Sequence, residues 1–120
     1  MLGWLRRRTR GSRRGAGSSG SSDQRKLRNE AMDHLEQFAR SRTGVEGFVE
    51  PRTTVTETTL LLVANNGEWT RRRVPDAAYA HNFANKLGIP SYDAAVVGYP
   101  QRMREWNARQ KADKAKKDQP

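Results

Sequence analysis

The pair Asn66-Gly67, preceded by Asn65, separates two runs of β-prone residues and so commits the middle of this chain to an antiparallel hairpin. Thr54 to Ala64 is dense in β-branched residues on one side, and Glu68 to Val74 follows on the other. A type I′ turn needs positive φ at both central residues, which Asn and Gly adopt most readily. With Asn66-Gly67 as the two loop residues, Asn65 pairs with Glu68 and every later cross-strand pair is fixed. One face then carries Leu60, Leu62, Ala64, Trp69, Arg71 and Arg73, and the other Thr59, Leu61, Val63, Thr70, Arg72 and Val74. The second face is the expected core because it buries one arginine rather than two; the opposite assignment places Trp69 in the core.

Around the hairpin the apolar spacing changes to that of helices. Leu27, Ala31, Leu35, Phe38 and Ala39 form a stripe that predicts a helix over Gln24–Arg42, with Ser22 or Asp23 as N-cap and Gly44 as the stop. Val45 to Glu50 reads as a short strand closed by Pro51. After Pro75, Asp76 caps a second helix with Tyr79, Ala80, Phe83, Ala84 and Leu87 on one side, ended by Gly88 and Pro90. Asp93 to Val97 is expected as a short strand, and Pro100 opens a third helix through Met103 and Trp106. The fold class is α+β: a small antiparallel sheet with a central hairpin, packed by two or three helices. Residues 23–109 form the domain. Residues 1–22, ending in a Gly/Ser-rich stretch, read as a disordered basic arm, and 110–120 as a flexible basic tail without an apolar stripe.

Charge follows the same partition. Residues 1–22 hold six arginines (Arg6, Arg7, Arg8, Arg10, Arg13 and Arg14) and no acid, a net of +6. Residues 23–100 hold ten basic and ten acidic side chains and balance, while 101–120 hold seven basic and three acidic, a net of +4. Together they give the +10 of the whole chain. A neutral centre between two cationic ends matches a small domain that docks on a polyanion, each neutralised phosphate releasing condensed counterions. The expected partners are RNA, the ribosome or DNA.

Several chemistries lack their residues. Without cysteine there is no disulfide, no thiolate nucleophile and no cysteine-based zinc or iron–sulfur site. His34 and His81 are the only histidines and neither sits at metal-ligand spacing. Glu46 and Glu50 have no partner carboxylate for acid–base work, Ser91 lacks a nucleophile elbow and a matched base, and Gly44 and Gly47 precede a strand where a phosphate loop would precede a helix. No catalytic, cofactor-binding or metal-binding residue is assigned, and the expectation leans away from an enzyme. Leu60 to Ala64 falls far short of the roughly 20 apolar residues of a membrane span. Met1 to Leu5 followed by arginines lacks the features of a secretory signal, so the cytoplasm is the expected location. Those residues offer too little apolar area for a stable hold on a membrane surface.

The strongest local candidate is Trp69 with Arg71 and Arg73, which strand alternation sets side by side. An aromatic ring beside guanidiniums holds an unpaired base while the cations meet phosphates. The competing reading is an ordinary strand whose arginines pair with Glu57 or Glu50 and whose tryptophan covers the edge of the core. Arg102, Arg104 and Arg109 extend the candidate nucleic-acid surface together with the six N-terminal arginines. A second class of reading is a protein–protein adaptor, with Tyr99-Pro100-Gln101-Arg102-Met103 and Trp106 meeting an acidic partner.

The segments Gly44-Val45-Glu46-Gly47-Phe48-Val49-Glu50-Pro51, Gly67-Glu68-Trp69-Thr70-Arg71-Arg72-Arg73-Val74, Leu87-Gly88-Ile89-Pro90-Ser91-Tyr92-Asp93 and Gly98-Tyr99-Pro100-Gln101-Arg102-Met103-Arg104 resemble a family of small basic actinobacterial proteins. The resemblance covers residues 44–109 and carries no assigned chemistry. It implies at most an oxidoreductase-associated label, which no cysteine pair, dinucleotide fingerprint, flavin motif or haem motif accompanies here.

Overall fold

The computed structural model describes the backbone of residues 15–117 and the side chains of residues 22–117. The chain divides into two units, 1–30 and 31–120. Of the first, the described part is the opening of helix α1 (Gly15–Ser41), whose side chains from Ser22 to Glu30 are exposed. Leu27, expected in the apolar stripe, is 65% exposed. The helix starts ahead of the predicted Gln24, because extending a formed helix through serine and glycine costs only about 0.5–1 kcal/mol per residue. The rest of the basic arm expected over 1–22 lies outside the described residues.

The second unit is built on a sheet of four strands, β1 (Glu46–Glu50), β2 (Thr59–Val63), β3 (Trp69–Arg73) and β4 (Ser91–Asp93), in the order β3-β2-β1-β4. β1, β2 and β3 are antiparallel neighbours, whereas β4 lies parallel to β1. The sheet is therefore mixed, where an antiparallel one was expected. Parallel neighbours need a crossover, and helix α2 (Ala77–Lys86), packed on β1, β2 and β4, lies on the path between β3 and β4. The fold class is α+β.

Leu60, Leu61, Leu62 and Val63 on β2 have no exposed surface. Successive strand residues point to opposite faces, so a run of four buried aliphatics means that helices cover both sides of the sheet. On one side Leu60, Leu62 and Val49 pack with Met32, Leu35 and Phe38 of α1, Ala80 of α2 and Val74. On the other, Phe48, Leu61 and Val63 pack with Trp69, with Ala94 of the short helix α3 (Ala94–Val97), and with Met103 of α4 (Gln101–Lys117). The expectation of one core face fails because apolar residues alternate on both sides of a strand at the centre of the sheet.

The hairpin is present with a loop one residue longer than predicted. The Gly67 N–H donates to the Ala64 carbonyl (2.9 Å), the Ala64 N–H to the Glu68 carbonyl (2.7 Å), and Gly67 takes φ +95°. A turn followed by one glycine at positive φ is the three-residue loop, which pairs Val63 with Trp69 and Leu62 with Thr70. The extra loop residue shifts the register by one and exchanges the faces. Leu60, Leu62 and Ala64 share a face with Thr70, Arg72 and Val74, and Thr59, Leu61 and Val63 share one with Trp69, Arg71 and Arg73.

Three other boundaries differ for local reasons. The strand expected from Thr54 begins at Thr59, since the Thr53 hydroxyl accepts from the Thr56 and Val55 N–H groups (3.0 and 3.2 Å) and holds a turn in place of a ladder. The strand expected over Asp93–Val97 ends at Asp93, whose carboxylate accepts from the Ala95 N–H (2.9 Å) and starts α3 instead. Helix α4 continues to Lys117 through the segment expected as a tail, where alanine and lysine are good helix formers. The predicted cap at Asp76 and the stop at Gly88 (φ +76°) are present, while α1 ends at Ser41 and Gly44 (φ +61°) lies in the bend beyond it.

Candidate polyanion interface

Strand alternation does place Trp69, Arg71 and Arg73 on one face of β3, but their surroundings differ. Trp69 is half-buried against the second core cluster, and its indole Nε1 donates to Asn107 Oδ1 of α4 (2.7 Å). Arg71 lies 5.2 Å over the Trp69 ring and donates from Nε and Nη2 to both carboxylate oxygens of Glu50 (2.7 and 2.8 Å). A forked guanidinium–carboxylate pair fixes both side chains in one plane. Thr59 Oγ1 and the Tyr99 hydroxyl also donate to Glu50. Burial alone would push the Glu50 carboxyl up, yet the hydrogen bonds from Arg71, Thr59 and Tyr99, with the Arg71 charge, hold it below the usual range. The Tyr99 hydroxyl moves the other way, raised by burial and by the Glu50 carboxylate.

The arginines of α4 are used similarly. Arg102 donates from Nε to the Ala64 carbonyl (2.9 Å) and from Nη2 to Glu46 Oε1 (2.7 Å), tying the helix to β1 and to the end of β2. Arg104 donates to the Tyr99 carbonyl (3.2 Å), and Arg109 to the Asn66 carbonyl (3.0 Å) while lying 5.7 Å from the Trp106 ring centre. Of the sequence candidates among the described residues, Arg73 alone is exposed with no ion pair or side-chain hydrogen bond. Arg6, Arg7, Arg8, Arg10, Arg13 and Arg14 lie outside the described residues.

The segment expected as a tail presents a cluster of cations without ion-pair partners among the described residues, as do Arg25, Lys26 and Arg28 on α1. Lys111, Lys114, Lys116 and Lys117 project from α4, all exposed, and the four ion pairs among the described residues use Arg40, Arg42, Arg71 and Arg102. The repeated Ala-Lys spacing after Arg109 is the signal that marks this segment as helix.

The remaining polar clusters are structural in form. A groove of about 500 Å³ runs between α1 and β3, lined by His34, Gln37, Phe38, Arg42, Glu68 and Thr70. Of its two guanidiniums, Arg42 is forked onto Glu68 (3.1 and 2.6 Å) and lies 4.3 Å over Phe38, and Arg40 pairs with Glu36 one turn back (2.7 Å). The pair lowers the Glu68 carboxyl and raises the Arg42 guanidinium, in each case first through the hydrogen bond. His34 Nε2 meets Thr70 Oγ1 (2.7 Å), and burial together with the Arg72 and Arg42 charges lowers its pKa, which favours the neutral ring. Ser91 does have a base beside it, contrary to the sequence reading. His81 Nδ1 is 2.7 Å from Ser91 Oγ, because α2 and β4, separate in sequence, pack together. Nothing among the described side chains bonds the far ring nitrogen of His81, so the pair lacks the orienting group of a nucleophile triad. No group of three or more His, Asp or Glu residues able to hold a metal ion occurs among the described residues. Their helices include none long and apolar enough to cross a membrane.

No family model, curated protein or solved structure matches the chain, so the resemblance of residues 44–109 rests on the quoted segments alone.

Proposed function

We propose that the protein is a noncatalytic binding module for a polyanion, RNA above all, engaged through the C-terminal half of α4 and the arginine-rich segment 6–14. The observation that supports this most is the state of the basic side chains. Arg71, Arg102 and Arg109 are spent on the protein's own acceptors, whereas the four lysines beyond Arg109 are exposed on a regular helix and paired with no acid among the described residues. Lysines on a helix meet phosphates as point charges and read no bases, so binding of this kind is sequence-tolerant and salt-dependent. The Trp69 and Arg71 platform serves mainly to hold the sheet and α4 together.

Filter binding of a single-stranded RNA to the full chain at rising salt tests the proposal. Affinity should be measurable at low salt and fall steadily, and K111Q/K114Q/K116Q/K117Q should flatten the logarithmic slope by about 2 to 3, since each phosphate contact contributes about 0.7. Absence of binding at low salt, or a slope the quadruple variant leaves unchanged, overturns the reading.

A further inference from the structure

We infer that the outer edge of β3 is a docking strand for an extended, acidic polypeptide segment of a partner protein, which adds to the sheet as a fifth strand. β3 is terminal in the strand order, with only β2 beside it. Its hydrogen-bond phase follows from two bonds of the ladder, Ala64 N–H to the Glu68 carbonyl and Val74 N–H to the Thr58 carbonyl. In an antiparallel pair alternate residues face the neighbour, so Glu68, Thr70, Arg72 and Val74 turn their backbone groups towards β2. Trp69, Arg71 and Arg73 turn theirs outward. Among the described residues the outward N–H groups of these three have no acceptor, and the one outward carbonyl in use, that of Arg71, accepts from the exposed Arg72 guanidinium (2.8 Å), which can swing aside.

The side chains select the occupant. Arg72 and Arg73 are exposed, form no ion pair among the described residues and project to opposite faces of the strand. Arg71 is already neutralised by Glu50. A second β3 placed antiparallel on this edge would set arginine against arginine, and like charges directly opposite are destabilising. An apolar strand would leave both guanidiniums uncompensated. A segment with a carboxylate opposite each of Arg72 and Arg73, and an apolar residue beside Trp69, satisfies backbone and side chains together. Edge arginines of this kind repel most strands while admitting one of opposite charge.

The experiment is an amide NMR titration of the uniformly labelled full chain with a synthetic extended peptide alternating glutamate with valine and threonine, and a control with lysine for glutamate. Shifts concentrated at the Trp69, Arg71 and Arg73 amides over those of Thr70 and Arg72, absent with the lysine peptide, support strand addition. Arg73→Pro removes an outward N–H without touching the ladder and should weaken the peptide about tenfold, and Arg73→Gln, which keeps the N–H, about threefold. Should Arg73→Pro fail to fold, the wild-type alternation and Arg73→Gln still decide. Shifts at arginine side chains alone, the same alternation with single-stranded RNA, or self-association through β3 in the absence of peptide each overturns the inference. K111Q/K114Q/K116Q/K117Q should keep full peptide affinity, which separates this edge from the polyanion surface of α4.

Discussion

The two halves of α4 are both basic and differ in what their side chains touch. Between Gln101 and Arg109 the helix is fastened: Met103 is buried in the second core cluster, Arg102 bonds the sheet, Asn107 receives the Trp69 indole, and Arg109 holds the hairpin loop. From Gln110 to Lys117 every side chain is exposed. The fastened half uses arginine, whose planar fork satisfies a carbonyl and a carboxylate at once, and the exposed half uses lysine, whose hydrated ammonium gains little from a fixed partner. Net charge therefore locates a binding surface only after the charges consumed by the fold have been subtracted.

The sharpest way to break the fastened half is at Gly67. A Cβ built there would lie 2.1 Å from the Arg102 carbonyl oxygen and 2.9 Å from Trp106 Cβ, and the residue holds φ +95°. Gly67→Ala combines left-handed backbone strain with a collision against helix backbone and should destabilise by about 3 kcal/mol, read as a lower urea midpoint with an unchanged slope. If the variant unfolds at the wild-type midpoint, the close approach of hairpin and helix is not a source of stability.

A smaller effect is expected where Arg71 and Tyr99 converge on Glu50. Glu50→Gln keeps the shape but removes the charge, and should cost about 1 kcal/mol at neutral pH, allowing for the partly exposed Arg71 guanidinium. The Glu50 carboxyl is held below its ordinary value near 4.5, so the unfolded chain takes up that proton first as pH falls. The stabilisation is complete above about pH 5.5 and is lost progressively as pH drops through 4.5 towards the folded-state value. Acid unfolding followed by circular dichroism should show a shallower decline in the glutamine variant over that window; parallel curves would remove Glu50 as the source.

How much of this was legible beforehand depended on whether the deciding contact is local. The cap at Asp76 and the stop at Gly88 act within one turn of chain, and each stands where the residue type demands. The hairpin was legible as a hairpin, but Asn65-Asn66-Gly67 suits both a two-residue and a three-residue loop, and the choice between them decides which face Arg71 and Trp69 occupy. The partners of Arg71 and Arg102 lie 21 and 56 residues away, and no spacing rule links such pairs. The strand's arginines have Glu57 or Glu50 as expected acceptors and Arg71 takes Glu50, while the tie from Arg102 to Glu46 and the pairing of Ser91 with His81 come only from the packing of distant elements.

The smallest effect on stability should come from the exposed half, and it is the measurement that separates holding from binding. Replacing Lys111, Lys114, Lys116 and Lys117 by glutamine removes no buried contact and no ion pair among the described residues. Glutamine and lysine have similar helix propensity, so the urea midpoint should correspond to a change within about 0.5 kcal/mol. The same quadruple variant is the one expected to lose RNA affinity, so each outcome has its own meaning. Loss of affinity at constant stability places the binding charge beyond Arg109. A drop in stability well beyond that limit would show that the lysine half is fastened after all, and the division of α4 into a holding half and a binding half would then be wrong.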